Sequence, residues 1–325
     1  MLSKTPLVSI ICLCYNHAAY VATCLNSVFN CGYPNLELII VDDASTDLSV
    51  QIINSVLEQQ KGINHIKAIQ KIFLSTNHGN CRAFNIGLAS STGKYVLDLA
   101  TDDVLLEGGL QYQVACMENA AATPGFCYAN ALFINEKGDE LGLFTEAKGL
   151  NHPSGHIYTQ IIAGNFICPP TVLFNTTLLK EEGGYDENLT FEDLDIWLRL
   201  SRKHPVVVSN AVVIKWRRHQ HSLSFQKYRA NASKHLVSVQ LLLQKLNQLN
   251  QNHADWQATA KLCAYYMRFA VYTNNKNAAR QLFKYLKLRR LDKPVDRIIH
   301  ILIPFASVVA ICYRLLLKYR QELRY

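Results

Sequence analysis

The sequence lacks the cysteine spacing of a metal site or a disulfide framework. None of its ten cysteines forms a CxxC pair, and most of them lie in apolar stretches, where cysteine behaves as a small hydrophobic residue. Reduced thiols in the core of a cytosolic protein are therefore favoured over zinc ligands or disulfides. The first residues also lack the basic, apolar and small-residue pattern of a signal peptide, so none is expected.

Acidic residues are scarce in the last third of the chain. Residues 226–325 contain 18 Lys and Arg but 4 Asp and Glu, a net charge of +14. Residues 1–225 contain 15 Lys and Arg against 21 Asp and Glu, a net charge of −6. Two such different surfaces predict two parts with different partners, a domain over residues 1–225 and a basic helical region over residues 226–325.

Apolar runs of strand length alternate with helix-periodic segments in the first part. The runs PLVSIICLCYN, LELIIVDD and KYVLDLA have the character of buried strands. Between them, HAAYVATCLNSVFN, LSVQIINSVLEQQ and CRAFNIGLASSTG have helical periodicity. This order predicts an α/β, Rossmann-like domain with a mostly parallel sheet and helices on both faces. Further on, FEDLDIWLRLSRKH predicts an amphipathic helix and PVVVSNAVVIKWRR a strand pair.

Two pairs of adjacent acids follow predicted strands. Asp42 and Asp43 follow the second strand, and Asp102 and Asp103 follow KYVLDLA. Ligands bind beyond the carboxyl ends of parallel strands, so we expect both pairs to face a crevice. Acids there can accept hydrogen bonds from a nucleobase or ribose, or hold Mg²⁺ or Mn²⁺ against a diphosphate. The alternative for each pair is a turn that caps the next helix.

Two later segments carry further candidate groups. Glu192 and Asp193 fall in the first turn of a predicted helix, where one carboxylate can act as a general base. A solvated helix N-terminus, favoured by the helix dipole, is the alternative. The segment KWRRHQHS gathers Arg217, His219 and His221 with other cations that can stabilise a departing diphosphate or join a metal site. Its alternative is a basic strand end at the surface. Four further histidines are expected to be ordinary surface or loop residues: His17, His65, His78 and His204.

In this order the motifs resemble those of family-2 glycosyltransferases with the GT-A fold. PLVSIICLCYNHAAYVATCLNSV is similar to their opening strand and helix, and LELIIVDDASTD to their base-binding strand. NHGNCRAFNIGLASSTGKYVLDLATDDVLLEGGL is similar to the segment that ends in their DxD-type site. GGYDENLTFEDLDIWLRL and WRRHQHSLS are similar to the acceptor region and the closing stretch. The similarity covers about residues 6–225 and departs from the common pattern at Ala100, an aspartate in many relatives, and at Phe84, an arginine.

The resemblance implies an inverting transfer of a sugar from a nucleotide donor, expected to be UDP-linked, with Mn²⁺ or Mg²⁺ on the donor diphosphate. The acceptor would be a hydroxyl of a glycan or lipid-linked molecule, in the synthesis of a cell-surface polysaccharide. The implied roles are nucleobase stacking by Tyr15, base and ribose binding by Asp42, Asp43 and Asp102, donor contact by Arg82, metal ligation by Asp103 and His219, and base catalysis by Asp193 beside Glu192.

The basic region, residues 226–325, lies outside this resemblance and is interpreted from its residues alone. Its charge and helix-periodic apolar residues favour docking on an anionic membrane, peripheral to the inner face of the plasma membrane. The segment between Arg297 and Arg314 has 16 residues, short of the roughly 20 that span a bilayer, so an interfacial helix is favoured over a transmembrane one. A helical core extension and an oligomer interface are the alternatives, and RNA binding ranks lowest, so no nucleic acid partner is expected.

Two other functions stay open at this level. A sugar-phosphate nucleotidyltransferase also uses acids and a cation on a parallel sheet, but CLCYNHAAY lacks the glycine-rich phosphate loop expected near its first strand. A catalytically dead GT-A domain that serves as a membrane- or RNA-binding protein would carry the same motifs without metal-dependent nucleotide binding.

Overall fold

The computed structural model describes residues 5–60, 65–148, 152–164, 166–219 and 232–311. The chain divides into two compact units. The first takes its described residues from Met1–Ile157, Asn165–Glu187 and Glu192–His219, and the second from Tyr158–Gly164, Asn188–Phe191 and Gln220–Tyr325. The domain boundary predicted at residue 225 lies outside the described residues and stays a prediction.

One mixed sheet forms the centre of the first unit. Its described strands are β1 (Val8–Cys14), β2 (Leu36–Asp42), β3 (Ile66–Phe73), β4 (Tyr95–Ala100), β5 (Val104–Leu105), β6 (Phe126–Ile134), β7 (Glu140–Leu143), β8 (Leu173–Asn175) and β9 (Val206–Arg217). They are ordered β3-β2-β1-β4-β8-β6-β9-β5, and β7 pairs with β6. The first four strands in this order are parallel, and β8 is antiparallel to both neighbours. The predicted parallel sheet is therefore one half of the sheet.

Helices connect the parallel strands as the sequence periodicity predicts. The helices of the first unit are α1 (Val21–Phe29), α2 (Ser49–Gln59), α3 (Asn80–Ser90), α4 (Gly109–Glu118), α5 (Phe144–Lys148), α7 (Thr176–Glu181) and α8 (Glu192–Lys203). Strand β2 is buried along its whole length, which explains its unbroken apolar run. At Gly87 of α3 an added Cβ would lie 2.7 Å from Cγ2 of Ile11, so this glycine lets the helix pack closely on β1. The nine cysteines in the described part of the chain are free thiols, and eight of them are buried.

The predicted strand pair in residues 205–217 is wrong. Strand β9 runs without a turn through the polar Ser209 and Asn210. Its register against β6 shifts on both sides of Asn130, so β9 fits more residues than its partner over the same length. Ser209 and Asn210 lie in a bulged stretch of one long strand.

The described part of the second unit is helical, as predicted for the basic region. Its helices are α6 (Tyr158–Ala163), α9 (Ala232–Leu249), α10 (His253–Tyr272), α11 (Lys276–Leu288) and α12 (Pro294–Leu302), the last followed by a 3₁₀ turn at Ile303–Phe305. Asparagine side chains begin two of these helices. Asn252 accepts a hydrogen bond from the Asp255 amide, and Asn275 accepts one from the Ala278 amide.

Candidate active site

The two acid pairs lie on either side of the carboxyl end of β1. The Asp43 amide donates to the carbonyl of Cys14 (2.9 Å), and the Thr101 amide donates to the carbonyl of Leu13 (2.9 Å). Neighbouring strands are about 4.8 Å apart, so both pairs belong to one edge of the sheet. Tyr15 directly follows β1 at this edge, and its side chain is 46% exposed. The predicted convergence of the strand-end acids is therefore present.

The carboxylates of the first pair have different partners. Asp42 is 1% exposed and accepts hydrogen bonds from the amide (2.8 Å) and hydroxyl (2.6 Å) of Ser45. This carboxylate stabilises its own turn, and its share in binding the nucleobase stays a prediction. Asp43 accepts hydrogen bonds from the amides of His78 (2.7 Å) and Gly79 (2.8 Å), which connects the strand end to the start of α3. A carboxylate has further lone pairs, so Asp43 keeps acceptor capacity for a base.

Asp102 lies between two histidines. Nε2 of His219 is 2.9 Å from Oδ2 of Asp102, and Nε2 of His17 is 4.0 Å from the same oxygen. Burial raises the pKa of Asp102, but the His219 hydrogen bond and the nearby charge of His17 outweigh it, so the pKa lies below its ordinary value. Asp102 is therefore a carboxylate at neutral pH. The expectation that His17 is an ordinary loop residue is wrong, since its ring also contacts the Thr101 hydroxyl at 2.8 Å.

Asp103 is the member of the pair whose pKa is raised. It is 3% exposed, and its Oδ1 accepts a hydrogen bond from the Arg217 amide (2.7 Å). Burial, followed by the charge of Asp102, raises the pKa of Asp103 well above its ordinary value. Its Oδ2 has no hydrogen-bond partner within the described ranges. A buried carboxylate next to a second negative charge is stabilised by a bound cation.

The Arg217 side chain binds main-chain carbonyls, and stabilisation of a diphosphate by the basic segment stays a prediction. Its guanidinium lies 4.6 Å from the Tyr20 ring centre and donates to the carbonyls of Asp102, Asn135 and Glu136. These contacts hold the loop after β4 against the end of β9. The neighbouring Arg218 is exposed, and His221 lies outside the described residues.

The predicted catalytic acids connect to the same edge through α3. The side-chain Nδ2 of Asn80 donates to Oε1 of Glu192 (2.5 Å), and Asn80 directly follows Gly79, whose backbone amide donates to Asp43. The first turn of α8 therefore lies beside the start of α3. Asp193 is half-buried, and its Oδ1 accepts a hydrogen bond from the next amide of the chain (2.7 Å).

Asp98 is a site residue that the sequence analysis missed. It lies in the middle of β4, and the Tyr185 hydroxyl donates to its Oδ2 (3.1 Å). Burial raises the pKa of Asp98 to about 7, and the charges of Glu192 and Asp193 act in the same direction. The available signal was an acid inside the apolar strand YVLDLA, where a neutral residue is the rule.

We expect the Asp98→Asn variant to gain stability relative to the wild type as pH rises from about 4 to 7, and to keep this advantage above pH 7. The raised pKa means that the folded state holds a proton more tightly than the unfolded state between about pH 4 and 7. The stability that this proton contributes is lost progressively between about pH 4 and 7, by at most about 4 kcal/mol, and an amide does not lose it. Thermal unfolding at pH 5, 6, 7 and 8 measures the effect, with Glu107→Gln, an exposed acid, as control. A difference that does not change with pH contradicts the expectation.

Arg82 projects from α3 with an exposed side chain. Phe84, at the position where relatives carry arginine, is fully buried, and its ring centre is 4.3 Å from that of Tyr185. The arginine of the common motif therefore has no counterpart on the buried face of α3, and a donor contact by Arg82 stays a prediction.

The residues at the sheet edge fit a divalent cation that takes few ligands from the protein and the rest from phosphate oxygens. No group of three or more His, Cys, Asp and Glu side chains able to hold a metal occurs in the ranges that the structure describes. A Mg²⁺ or Mn²⁺ ion held by one or two carboxylates and by phosphate oxygens needs no such group. Asp103, with one oxygen unpaired, fits this arrangement. The ring of His219 binds Asp102 instead, so metal ligation by His219 stays a prediction.

Solved structures share the fold of this chain. Staphylococcus aureus TarS 1–349 in complex with UDP-GlcNAc has a TM-score of 0.70 and 18% identity, over 94% of this chain and 91% of that one. A mannosyltransferase from Pyrobaculum calidifontis in complex with GDP-Man and Mn²⁺ has a TM-score of 0.53 and 16% identity, over 95% of this chain and 87% of that one. The predicted GT-A fold with a helical C-terminal region is confirmed.

The sequence relatives of this chain are named as glycosyltransferases. An uncharacterized glycosyltransferase of Haemophilus influenzae is 32% identical over 54% of this chain and 64% of its own length. Another, of Rickettsia felis, is 28% identical over 61% of this chain but only 31% of its own. The putative teichuronic acid biosynthesis glycosyltransferase TuaG of Bacillus subtilis is 28% identical over 71% of this chain and 86% of its own. The Glycosyl transferase family 2 model matches residues 9–152, so this part of the chain is a family-2 glycosyltransferase domain.

Proposed function

We propose that this chain transfers a sugar from a UDP-sugar to a hydroxyl group of a glycan or a lipid-linked acceptor, with inversion at the sugar carbon. The observation that carries the proposal is the meeting of acids from separate segments at one sheet edge, next to an exposed Tyr15. Support for UDP comes from TarS, whose complex holds UDP-GlcNAc. Support for polysaccharide synthesis comes from TuaG, named for teichuronic acid biosynthesis.

The donor site is built from the ends of three parallel strands. Tyr15 offers an exposed ring on which a nucleobase can stack. Asp43 accepts a hydrogen bond from the base, while its bonds to the start of α3 fix its orientation. Asp102 stays ionised beside His219 and accepts hydrogen bonds from the ribose.

The diphosphate is the leaving group, and its developing charge must be stabilised. Asp103 is the residue that would hold Mg²⁺ or Mn²⁺, and the ion, when bound, supplies charge neutralisation at the diphosphate. Arg217 keeps Asp103 in place, because its amide binds the carboxylate and its guanidinium fixes the loop before it. The loop is therefore preorganised for this task.

Asp193 is the general base of the proposed reaction. It takes the proton of the acceptor hydroxyl as the oxygen attacks the sugar carbon from the face opposite the diphosphate, which inverts that carbon. Glu192, held by Asn80, fixes the first turn of α8 beside the sheet edge. Lipid-linked acceptors reside in membranes, and we therefore place the reaction at the inner face of the plasma membrane.

A hydrolysis screen of nucleotide sugars with the purified chain tests the proposal, together with UDP titration calorimetry in the presence of Mn²⁺. We expect release of UDP from one or a few UDP-sugars. Replacing Tyr15 with Ala should weaken UDP binding about 10-fold or more, because stacking on an aromatic ring contributes about 1–3 kcal/mol. Tyr112→Ala, which removes a 65% exposed tyrosine from α4, is the matched control and should bind normally.

Either of two results would contradict the proposal and favour another function. Failure to bind UDP in the presence of Mn²⁺ would favour a catalytically dead domain. Formation of a nucleotide sugar and pyrophosphate from a nucleoside triphosphate and a sugar phosphate would favour a nucleotidyltransferase.

A further inference from the structure

The end of the described chain carries a long apolar face that no described residue covers. Residues Pro294–Ile311 form an 18-residue helical segment with a mean hydropathy of 1.7, and 22% of it is buried. Seven large apolar side chains along it are between 41% and 67% exposed, and they recur every three or four residues: Val295, Ile298, Ile301, Leu302, Phe305, Val308 and Ile311. This spacing puts them on one side of the helix.

The opposite side of this segment packs within the second unit. Asp296, Ile303, Ala306 and Ala310 are each at most 2% exposed. The His300 ring stacks on Phe283 of α11 at a centroid distance of 4.0 Å. The exposed apolar side chains therefore do not belong to the core of the second unit, because the opposite side of the helix already packs against that core.

The packing also decides between lying on a bilayer and crossing one. The segment is long and apolar enough to span a membrane by length and composition. However, the Lys276 ammonium donates to the carbonyl of Pro304 in its middle (2.8 Å), and α11 beside it carries further cations. Crossing would carry these charges into hydrocarbon, which is costly. A helix with one apolar face and one packed face instead lies in the plane of the interface.

Charge indicates what covers the apolar face. Residues 276–311 contain 8 Lys and Arg but 2 acids. Both acids are engaged locally: Asp292 pairs with Arg297 at 2.7 Å, and Asp296 binds the Lys293 amide at 2.9 Å. A second copy would bring two such cationic surfaces together, whereas anionic lipid headgroups complement them.

We propose that residues 294–311 are an in-plane anchor that inserts the apolar face Val295–Ile311 into the interface of an anionic bilayer. The partner is a lipid surface with negative headgroups, and neighbouring cations such as Arg297 contact those headgroups. The inference concerns the second unit only and does not depend on the transfer reaction.

Flotation of the full chain with vesicles, without donor or metal, tests the anchor and leaves the proposed function aside. We expect binding to vesicles of phosphatidylcholine with 30% phosphatidylglycerol and weaker binding to pure phosphatidylcholine. Raising the salt concentration should reduce the binding, because salt screens the attraction between the cations and the anionic headgroups. The Ile301→Gln/Phe305→Gln variant should bind at least about 10-fold more weakly, since it removes exposed apolar area. Both side chains are more than 60% exposed, so the fold should persist, which the melting temperature checks.

A matched variant makes the result specific to this face. Tyr112→Gln/Leu141→Gln changes two side chains of similar exposure, 65% and 58%, in the first unit and should bind vesicles normally. Equal binding by wild type and the Ile301/Phe305 variant overturns the proposal. So does resistance of the bound chain to alkaline carbonate extraction, which indicates a span. A dimer that the same variant abolishes, without vesicle binding by the wild type, assigns the face to a second copy and also overturns it.

Discussion

The Asp193→Asn variant is expected to transfer sugar at least about 100-fold more slowly than the wild type, with UDP binding unchanged. The amide is nearly isosteric and can still accept the hydrogen bond from the next amide of α8. It cannot take a proton at neutral pH, so the variant loses the general base alone, a contribution of about 10²–10⁴ in rate. Initial rates under saturating donor and titration calorimetry with UDP measure the two quantities separately.

The control for this variant is Glu181→Gln, an acid-to-amide change at an exposed position of α7. Its rate should match the wild type. If Asp193→Asn keeps a rate near wild type, the base lies elsewhere, and Glu192→Gln then becomes the informative variant. If UDP binding falls together with the rate, Asp193 acts on the donor and the proposed division of roles is wrong.

The second large effect is expected at Asp103. Asp103→Asn keeps an oxygen for the Arg217 amide but removes the charge that would hold a cation. We expect transfer to fall at least about 100-fold, and the tightening of UDP binding by Mn²⁺ to disappear. Because burial already disfavours the charged form of Asp103, the metal-free variant should unfold at the same or a higher temperature than the wild type.

This combination separates loss of a metal ligand from misfolding, since a misfolded variant would melt earlier. Glu107→Gln lies four residues away on an exposed position and should leave transfer, metal response and melting unchanged. Adding a chelator to the wild type should reproduce the Asp103→Asn phenotype. A wild-type rate that survives exhaustive chelation contradicts the predicted metal requirement.

The parallel half of the fold is predictable because its signals are local. Helix α1 buries Val21, Cys24, Leu25, Val28 and Phe29, the residues whose spacing predicts it. Strand β2 is buried throughout, as its apolar run predicts. The strand-end acids follow from the same pattern, since the end of each parallel strand is fixed by where its apolar run stops.

The features that could not be predicted depend on contacts between distant residues. Whether Ser209 and Asn210 turn or bulge is decided by the register of β9 against β6, which no short stretch encodes. The burial of Asp98 depends on Tyr185, 87 residues away.

The second unit recruits residues from within the sequence of the first. Tyr158, 3% exposed, donates to Oδ1 of Asn250 (2.8 Å), Thr159 bonds Asp255 (2.5 Å), and Thr190 contacts His235 (3.0 Å). A cut near residue 225 would strip these buried segments of their partners and expose them to water. The helical last third of the chain therefore forms one compact unit with two segments from the earlier part of the sequence. It cannot be removed without breaking the contacts of those segments. The second unit consists of three separate stretches of sequence, so recombination would need at least five breakpoints to move it without the first unit, and joint inheritance of the two units is the easier evolutionary path.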